Sequence, residues 1–305
     1  MSVSAAPDLP LAHRVYVELA LPEGGRTPST VQLLVAGGTY NRQYWDLPDV
    51  REGTDRYSYV RAAVAHGFAT ASVDLLGRGR SSVPPSHLVG LECDAWVSHQ
   101  LVEWLQSPAS GQRFDNVVAV GHSLGTTSLW VHASRWNDLA GLVLTGATHF
   151  PDPGGQGALE WMTANEDPRW LSLDDGYVTT AAGTRSGFYD PGPVDSRLLM
   201  WDEEHRDVMT SRHLTDLPPV FEGQSAVQAP VLLVLGAADP LHSPELRADP
   251  GLLASSEGKR LGAPRSVDAY VLPESGHSLN GAPNAEDWFR AAQTWTASTV
   301  GGAGG

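Results

Sequence analysis

The stretch Asn116 to Trp130 (Asn-Val-Val-Ala-Val-Gly-His-Ser-Leu-Gly-Thr-Thr-Ser-Leu-Trp) constrains the fold more than any other part of the chain. Val117 to Val120 is a short apolar run, mostly β-branched, that ends at a glycine, as a strand buried on both faces should. Gly121-His122-Ser123-Leu124-Gly125 then fits Gly-x-Ser-x-Gly. In that pattern the serine occupies a strained strand-to-helix turn, and the glycines are needed because a Cβ would collide with neighbouring backbone. The Ser123 hydroxyl is thereby held out at the top of the sheet. The N–H of Leu124, at the start of the helix, is free to face an oxyanion, and the helix dipole adds to the attraction.

A serine alone is a poor nucleophile, so the reading requires an acid and a base later in the chain, in that order. Val231 to Gly236 is a second buried-strand run, and its loop Ala237-Ala238-Asp239-Pro240 places a carboxylate just past the strand end. Val267 to Leu272 is a third, followed by Pro273-Glu274-Ser275-Gly276-His277-Ser278. From that loop His277 can reach Ser123 on one side and Asp239 on the other. Strand-end loops along one edge are where a parallel sheet places its chemistry.

With Asp74-Leu75-Leu76-Gly77-Arg78-Gly79-Arg80-Ser81, Gly236-Ala237-Ala238-Asp239 and Ser275-Gly276-His277 added in order to Gly121 to Gly125, the chain resembles the α/β-hydrolase superfamily from about Val15 to Ser298. The likeness is to its serine-nucleophile branch of esterases, lipases and thioesterases. It implies an α/β-hydrolase fold, with a mostly parallel central sheet flanked by helices and an inserted lid, and a Ser123, Asp239, His277 triad. Many members carry His-Gly where this chain has Ala36-Gly37-Gly38. By position, Gly38 then supplies the second backbone N–H of the oxyanion hole beside Leu124. Some members take the acid from an earlier loop, where Asp152 is the alternative to Asp239.

From His149 to about Gln228 the buried-strand rhythm stops, and Pro, Gly, Asp and aromatics take over. An insertion over the active-site edge accounts for this, giving a core of residues 1–148 and 229–305 around a cap of 149–228, with a flexible glycine-rich tail at Gly301 to Gly305. Within the cap, Gly176 to Thr180 and Arg185 to Tyr189 read as two extended pieces, and Val194 to Thr210 as a helix. Candidate substrate contacts are Tyr40 and Asn41 beside the nucleophile, His122 and His149 near the site by sequence, and Trp161, Tyr177 and Trp201 on the aromatic underside of the cap. Packing is the simpler role for His122, His149 and His242.

Length fits one large α/β domain with a modest insertion: the chain has 305 residues. A net charge of -15 and the lack of any Lys/Arg cluster argue against nucleic acid as a partner. Cys93 is the only cysteine, which excludes an internal disulfide and a thiolate zinc cluster. No metal spacing such as His-Glu-x-x-His occurs, and no metal or other cofactor is expected. Residues 1–14 lack signal-peptide features and no apolar run is long enough to span a bilayer, so a cytoplasmic location is the expectation.

The expected activity is serine-dependent hydrolysis of an ester, lactone or thioester of a fairly apolar, small to medium acyl group. The Gly-Gly-Thr-Tyr-Asn-Arg and Tyr-Val-Thr-Thr features look like those of bacterial hydrolases that process natural products. A serine rather than an aspartate at position 123 disfavours epoxide hydrolase and dehalogenase chemistry. Thioester cleavage on a carrier protein, carbon-carbon hydrolysis of a diketone, acyl transfer, and a ligand receptor that retains the triad remain open alternatives.

Overall fold

The computed structural model describes residues 1–24, 28–48, 50, 56–152, 154–155, 159–262 and 264–302. A short hairpin of β1 (Ser2–Val3) and β2 (His13–Arg14) leads into β3 (Tyr16–Ala20), β4 (Thr30–Val35), β5 (Ala69–Asp74), β6 (Asn116–His122) and β7 (Gly141–Thr145). After these come β8 (Trp161–Thr163), β9 (Tyr177–Thr180) and β10 (Met209–Thr210), then β11 (Val231–Gly236) and β12 (Val267–Leu272). A seven-stranded sheet has the order β12-β11-β7-β6-β4-β5-β3. Its pairs are parallel except for edge strand β3, which runs antiparallel to β5.

The helices are α1 (Tyr59–Ala65), α2 (Leu91–Leu105), α3 (Leu124–Arg135), α4 (Ser196–Glu204), α5 (Ser211–Glu222), α6 (Pro244–Ala248), α7 (Pro250–Leu261) and α8 (Ala285–Thr299). Alternation along the strands sorts them onto two faces. Val31, Leu33 and Val35 of β4 and Val117 and Ala119 of β6 share a core with Val97 and Leu101 of α2, Trp130 of α3 and Leu253 of α7. Leu34, Val118 and Val120 point the other way, against Tyr59 and Ala63 of α1 and Trp288 and Phe289 of α8. The polar Gln32 also lies there, satisfied by donating to Gln293 at 2.6 Å and accepting from the Tyr59 hydroxyl at 2.8 Å.

Three local expectations need correction. β12 is an edge strand, partly exposed along most of its length, rather than a fully buried run. Its apolar content serves the helices on its two faces, α7 and α8, not a further strand. The piece Arg185–Phe188 is a 3₁₀ turn rather than a strand, and β9 pairs instead with β8 and β10 in a separate antiparallel sheet. The helix expected over Val194 to Thr210 is the shorter α4, because the Asp207 N–H leaves to bond Thr39 O and Met209 and Thr210 pair with β9.

Helix α5 was not anticipated, since Pro218 and Pro219 lie inside it. The carbonyls their missing N–H groups would have bonded, on Leu214 and Thr215, belong to exposed residues, where water can replace the lost donors. His213 anchors the start of α5. It accepts from the Thr210 N–H at 3.2 Å, and its Nε2 lies 3.1 Å from Asp94 Oδ2, which also pairs with Arg78 at 3.0 Å. At the C-terminus, Gly301 and Gly302 are tied down by Thr30, while positions 303–305 of the expected flexible tail lie outside the described residues. Among the described residues, no helix is long and apolar enough to cross a membrane.

Trp288 is fully buried and stacks on Tyr59 with ring centroids 4.9 Å apart. Trp288→Ala should lower unfolding free energy by about 3–5 kcal/mol, read from urea denaturation; a loss below about 1 kcal/mol would contradict this packing.

Candidate active site

Ser123 ends β6 at φ 52° and ψ −118°, a conformation that costs a non-glycine residue of order 1–3 kcal/mol. Close backbone packing holds it there. A Cβ on Gly121 would lie 2.8 Å from Thr126 N, and one on Gly125 would lie 2.3 Å from Val35 O. The Ser123 N–H donates to Thr145 O at 2.8 Å, and the Thr126 hydroxyl donates to the same carbonyl at 2.9 Å, locking the turn to β7.

The loops after β11 and β12 pack equally tightly, since a Cβ on Gly236 would lie 2.2 Å from Gly276 O and one on Gly276 would lie 2.3 Å from Tyr189 O. They deliver Asp239 and His277 beside the serine. His277 Nε2 is 2.9 Å from Ser123 Oγ, and His277 Nδ1 is 2.8 Å from Asp239 Oδ2. The serine hydroxyl therefore donates to the imidazole, which donates from its other nitrogen to the carboxylate. Asp152, the alternative acid, is engaged elsewhere, with its N–H on Leu241 O and its carboxylate on Gly154 N–H.

Burial would raise the Asp239 carboxyl, but the charges of His277 and His242 and the His277 and Leu241 hydrogen bonds prevail and hold it at about 2. Burial pushes His122 well below the usual imidazole range, with His277 adding to it, so His122 is neutral. Burial also lowers His242, against the opposing pull of Asp239.

Ser123 and His277 face a mostly apolar cavity of about 140 Å³. Gly38, Leu124 and Thr127 line it from the core, Leu241 and His242 from the loop after β11, and Leu159, Trp161, Phe188, Met209, Leu214, Leu217 and Phe221 from the inserted segment. Phe188 also stacks on His277 at 5.7 Å. Neither the Gly38 nor the Leu124 backbone N–H has a backbone acceptor among the described residues.

Of the expected substrate contacts, only Trp161 lines this cavity; the other six are engaged elsewhere. Tyr40 donates to Asp202 and Asn41 to Asp207, at 3.1 and 2.8 Å. His122 stacks on Tyr44 at 4.5 Å and bonds Thr145. His149 stacks on Trp130 and pairs with Glu257 at 2.8 Å. Tyr177 donates to Pro84 O beneath Gly77, and Trp201 stacks on His205. Sequence reasoning missed Leu214, Leu217 and Phe221, although their three- and four-residue spacing is an amphipathic signal that Pro218 and Pro219 obscured.

Among the described residues, two His/Asp groups bring metal-type ligand atoms within 4.8 Å of one another, namely His99, His132 and Asp138, and Asp239, His242 and His277. In the first, each Asp138 oxygen takes a 2.7 Å hydrogen bond from one histidine. His132 Nδ1 is buried without the outer partner that a metal-bound histidine normally has. In the second, Asp239 and His277 already serve one another.

The sequence profile of the alpha/beta hydrolase family matches residues 32–291. The chain belongs to that family. No curated protein matches it. Among solved structures, this alpha/beta hydrolase is similar to a monoacylglycerol lipase of Paleococcus ferrophilus, with TM-score 0.61 and 17% identity over 94% of this chain and 99% of that one. An esterase of Exiguobacterium antarcticum gives TM-score 0.62 and 14% identity, covering 93% and 95% of the two chains. Est1E of Butyrivibrio proteoclasticus, with ferulic acid bound, gives TM-score 0.55 and 15% identity over 94% and 96%. At these identities the likeness is one of fold.

Gly125→Ala should abolish the native turn, seen as loss of soluble protein or a fall of several degrees in Tm; an unchanged Tm would refute the close approach to Val35. The Asp239 carboxyl lies below its unfolded value of about 4, so its stabilisation is complete above about pH 4 and is lost as pH falls through about 2. Asp239→Asn should therefore flatten stability against pH across that window in urea titrations, whereas parallel curves would contradict the assignment.

Proposed function

We propose that this protein is a serine hydrolase that cleaves carboxylic esters of small to medium apolar acids. The observation that carries the reading is the relay Ser123, His277, Asp239, with links of 2.9 and 2.8 Å, at the wall of an apolar cavity. In this mechanism His277 Nε2 takes the Ser123 proton as Oγ attacks the ester carbonyl. Asp239 accepts from Nδ1, fixing the tautomer and stabilising the imidazolium. The N–H groups of Gly38 and Leu124 bind the oxyanion. Collapse of the tetrahedral intermediate expels the alkoxide, which takes the proton from His277. Water, deprotonated by His277, then opens the acyl-serine and releases the acid.

The cavity supports the acyl-group size. An apolar cavity of about 150 Å³ holds benzene, and this one is close to that at about 140 Å³. An aromatic or short branched acyl group fits, consistent with the lining by Trp161, Phe188 and Phe221. The esterase and lipase folds it resembles, one with an aromatic acid bound, agree with this reading. Residues 149–228 act as the lid, since they supply much of the cavity wall. Lactones and thioesters share the same acyl-serine route, and the lining favours small acyl groups of either kind, including natural-product fragments.

Purified protein should hydrolyse p-nitrophenyl butyrate and benzoate, and a fluorophosphonate should label Ser123. Ser123→Ala should lose at least ~10⁴-fold in kcat. More than a few per cent residual activity in that variant would overturn the mechanism. A panel of aryl esters, carrier-protein thioesters and diketones ranks the bond types, and preference for a diketone would replace ester cleavage with carbon-carbon hydrolysis.

A further inference from the structure

The oxyanion loop is braced by a fully buried ion pair that belongs to the inserted segment. Arg185 Nη2 donates to Asp202 Oδ1 at 2.7 Å, and both side chains are almost completely excluded from solvent. The other arm of the guanidinium donates to Thr39 Oγ1 at 3.0 Å. Asp202 Oδ2 accepts from the hydroxyls of Tyr40 and Tyr189, at 3.1 and 2.8 Å. The Tyr40 oxygen lies 3.2 Å from Ser278 Oγ, on the residue after His277. One buried network therefore touches the residue next to Gly38 and the residue next to His277.

Thr39 holds φ 57°, a left-handed conformation that a β-branched residue adopts only under constraint. Arg185 fixes its side chain, and the Asp207 N–H fixes its carbonyl at 2.9 Å. A relaxed Thr39 would shift the Gly38 Cα through the Gly38–Thr39 peptide, and with it the Gly37–Gly38 peptide that carries the Gly38 N–H. The guanidinium also lies over Tyr40, with its carbon 4.3 Å from the ring centre. Buried ion pairs are poor stabilisers compared with apolar packing of the same volume, so stability alone gives little reason for this one. What a planar, forked cation gives that an aliphatic side chain cannot is simultaneous fixed bonds to Asp202 and Thr39.

We infer that Arg185 and Asp202 are positioning residues for the oxyanion hole: through Thr39 and Tyr40 they aim the Gly38 N–H at the carbonyl oxygen attacked by Ser123. This rests on the ester-hydrolase reading above. They touch no substrate themselves, and their effect belongs to the transition state, where the oxyanion forms, rather than to ester binding.

The test compares wild type with Thr39→Val, which keeps the branching but removes the acceptor for Arg185, and Thr39→Ser, which restores it. A paired replacement, Arg185→Met with Asp202→Leu, removes both charges together. Tyr59→Phe, which deletes a buried hydrogen bond to Gln32 in the same core but outside this hydrogen-bond network, controls for general destabilisation. With p-nitrophenyl butyrate, Thr39→Val and the paired replacement should lower kcat by ~10–100-fold with KM within ~3-fold, as small misplacements of an oxyanion donor do. Affinity for the matching trifluoromethyl ketone should fall by the same factor, and Thr39→Ser and Tyr59→Phe should stay near wild type.

The inference is overturned if folded Thr39→Val keeps wild-type kcat, if kcat and KM shift together in the network variants, or if Tyr59→Phe lowers kcat as far as they do. Should the paired replacement fail to fold, Thr39→Val against Thr39→Ser decides the matter. Wild-type protein that hydrolyses no ester would instead remove the ester-hydrolase reading, so the two failures are distinct.

Discussion

The structure depends on how closely three pieces of backbone approach beneath Ser123. The first turn of α3 sits directly against the end of β4, leaving no room for a side chain at Gly125, and the end of β6 sits against Thr126, leaving none at Gly121. That contact fixes the serine in its strained conformation. It also fixes the start of α3 directly after Ser123, so the positive end of the helix dipole lies beside that residue. The fully buried central strands supply the rigidity against which such strain can be held.

The inserted segment does more than cover a cavity. Asp207 accepts from Asn41 and from the Gly79 N–H while its own N–H bonds Thr39, which joins the segment to two core loops at once. Arg185 and Asp202 add the buried pair behind the Gly38–Tyr40 loop, and His213 ties α5 to Asp94 of α2. The cavity wall formed by Leu214, Leu217 and Phe221 is thus carried on a helix whose first turn is fixed to the core. A wall anchored in this way fixes the size of the cavity.

What could be read from the sequence follows from the range of the interactions involved. The strands bearing Ser123 and Asp239 announce themselves through apolar runs that end in glycine, and chain order then points to His277. The partners of Tyr40 and Asn41 could not be read in that way, because Asp202 and Asp207 lie 162 and 166 residues along the chain. Aromatic and polar side chains next to a nucleophile suggest substrate contact, and only the long-range pairing shows that they face backwards. Similarly, β8 and β10 are three and two residues long, too short for periodicity to register; they exist because β9 supplies pairing partners. Pro218 and Pro219 hid α5 for a local reason, and exposure of the orphaned carbonyls is what lets the helix continue.

The electrostatic arrangement around His277 is selective in a way that the list of residues alone does not reveal. Three imidazoles crowd together, with the His122 and His242 rings 5.0 and 6.3 Å from that of His277. Were either neighbour cationic, it would oppose the imidazolium that the proposed mechanism forms at His277. Burial lowers both neighbours, while Asp239 remains ionised despite its own burial. Of the three rings, His277 alone bridges Asp239 and Ser123. His242 lies 3.6 Å from the same carboxylate oxygen, too far to be an equal partner for it, and the 2.8 Å bond goes to His277. Contact with both Ser123 and Asp239, and the shorter distance to one carboxylate oxygen, rather than residue type, set His277 apart from its two neighbours.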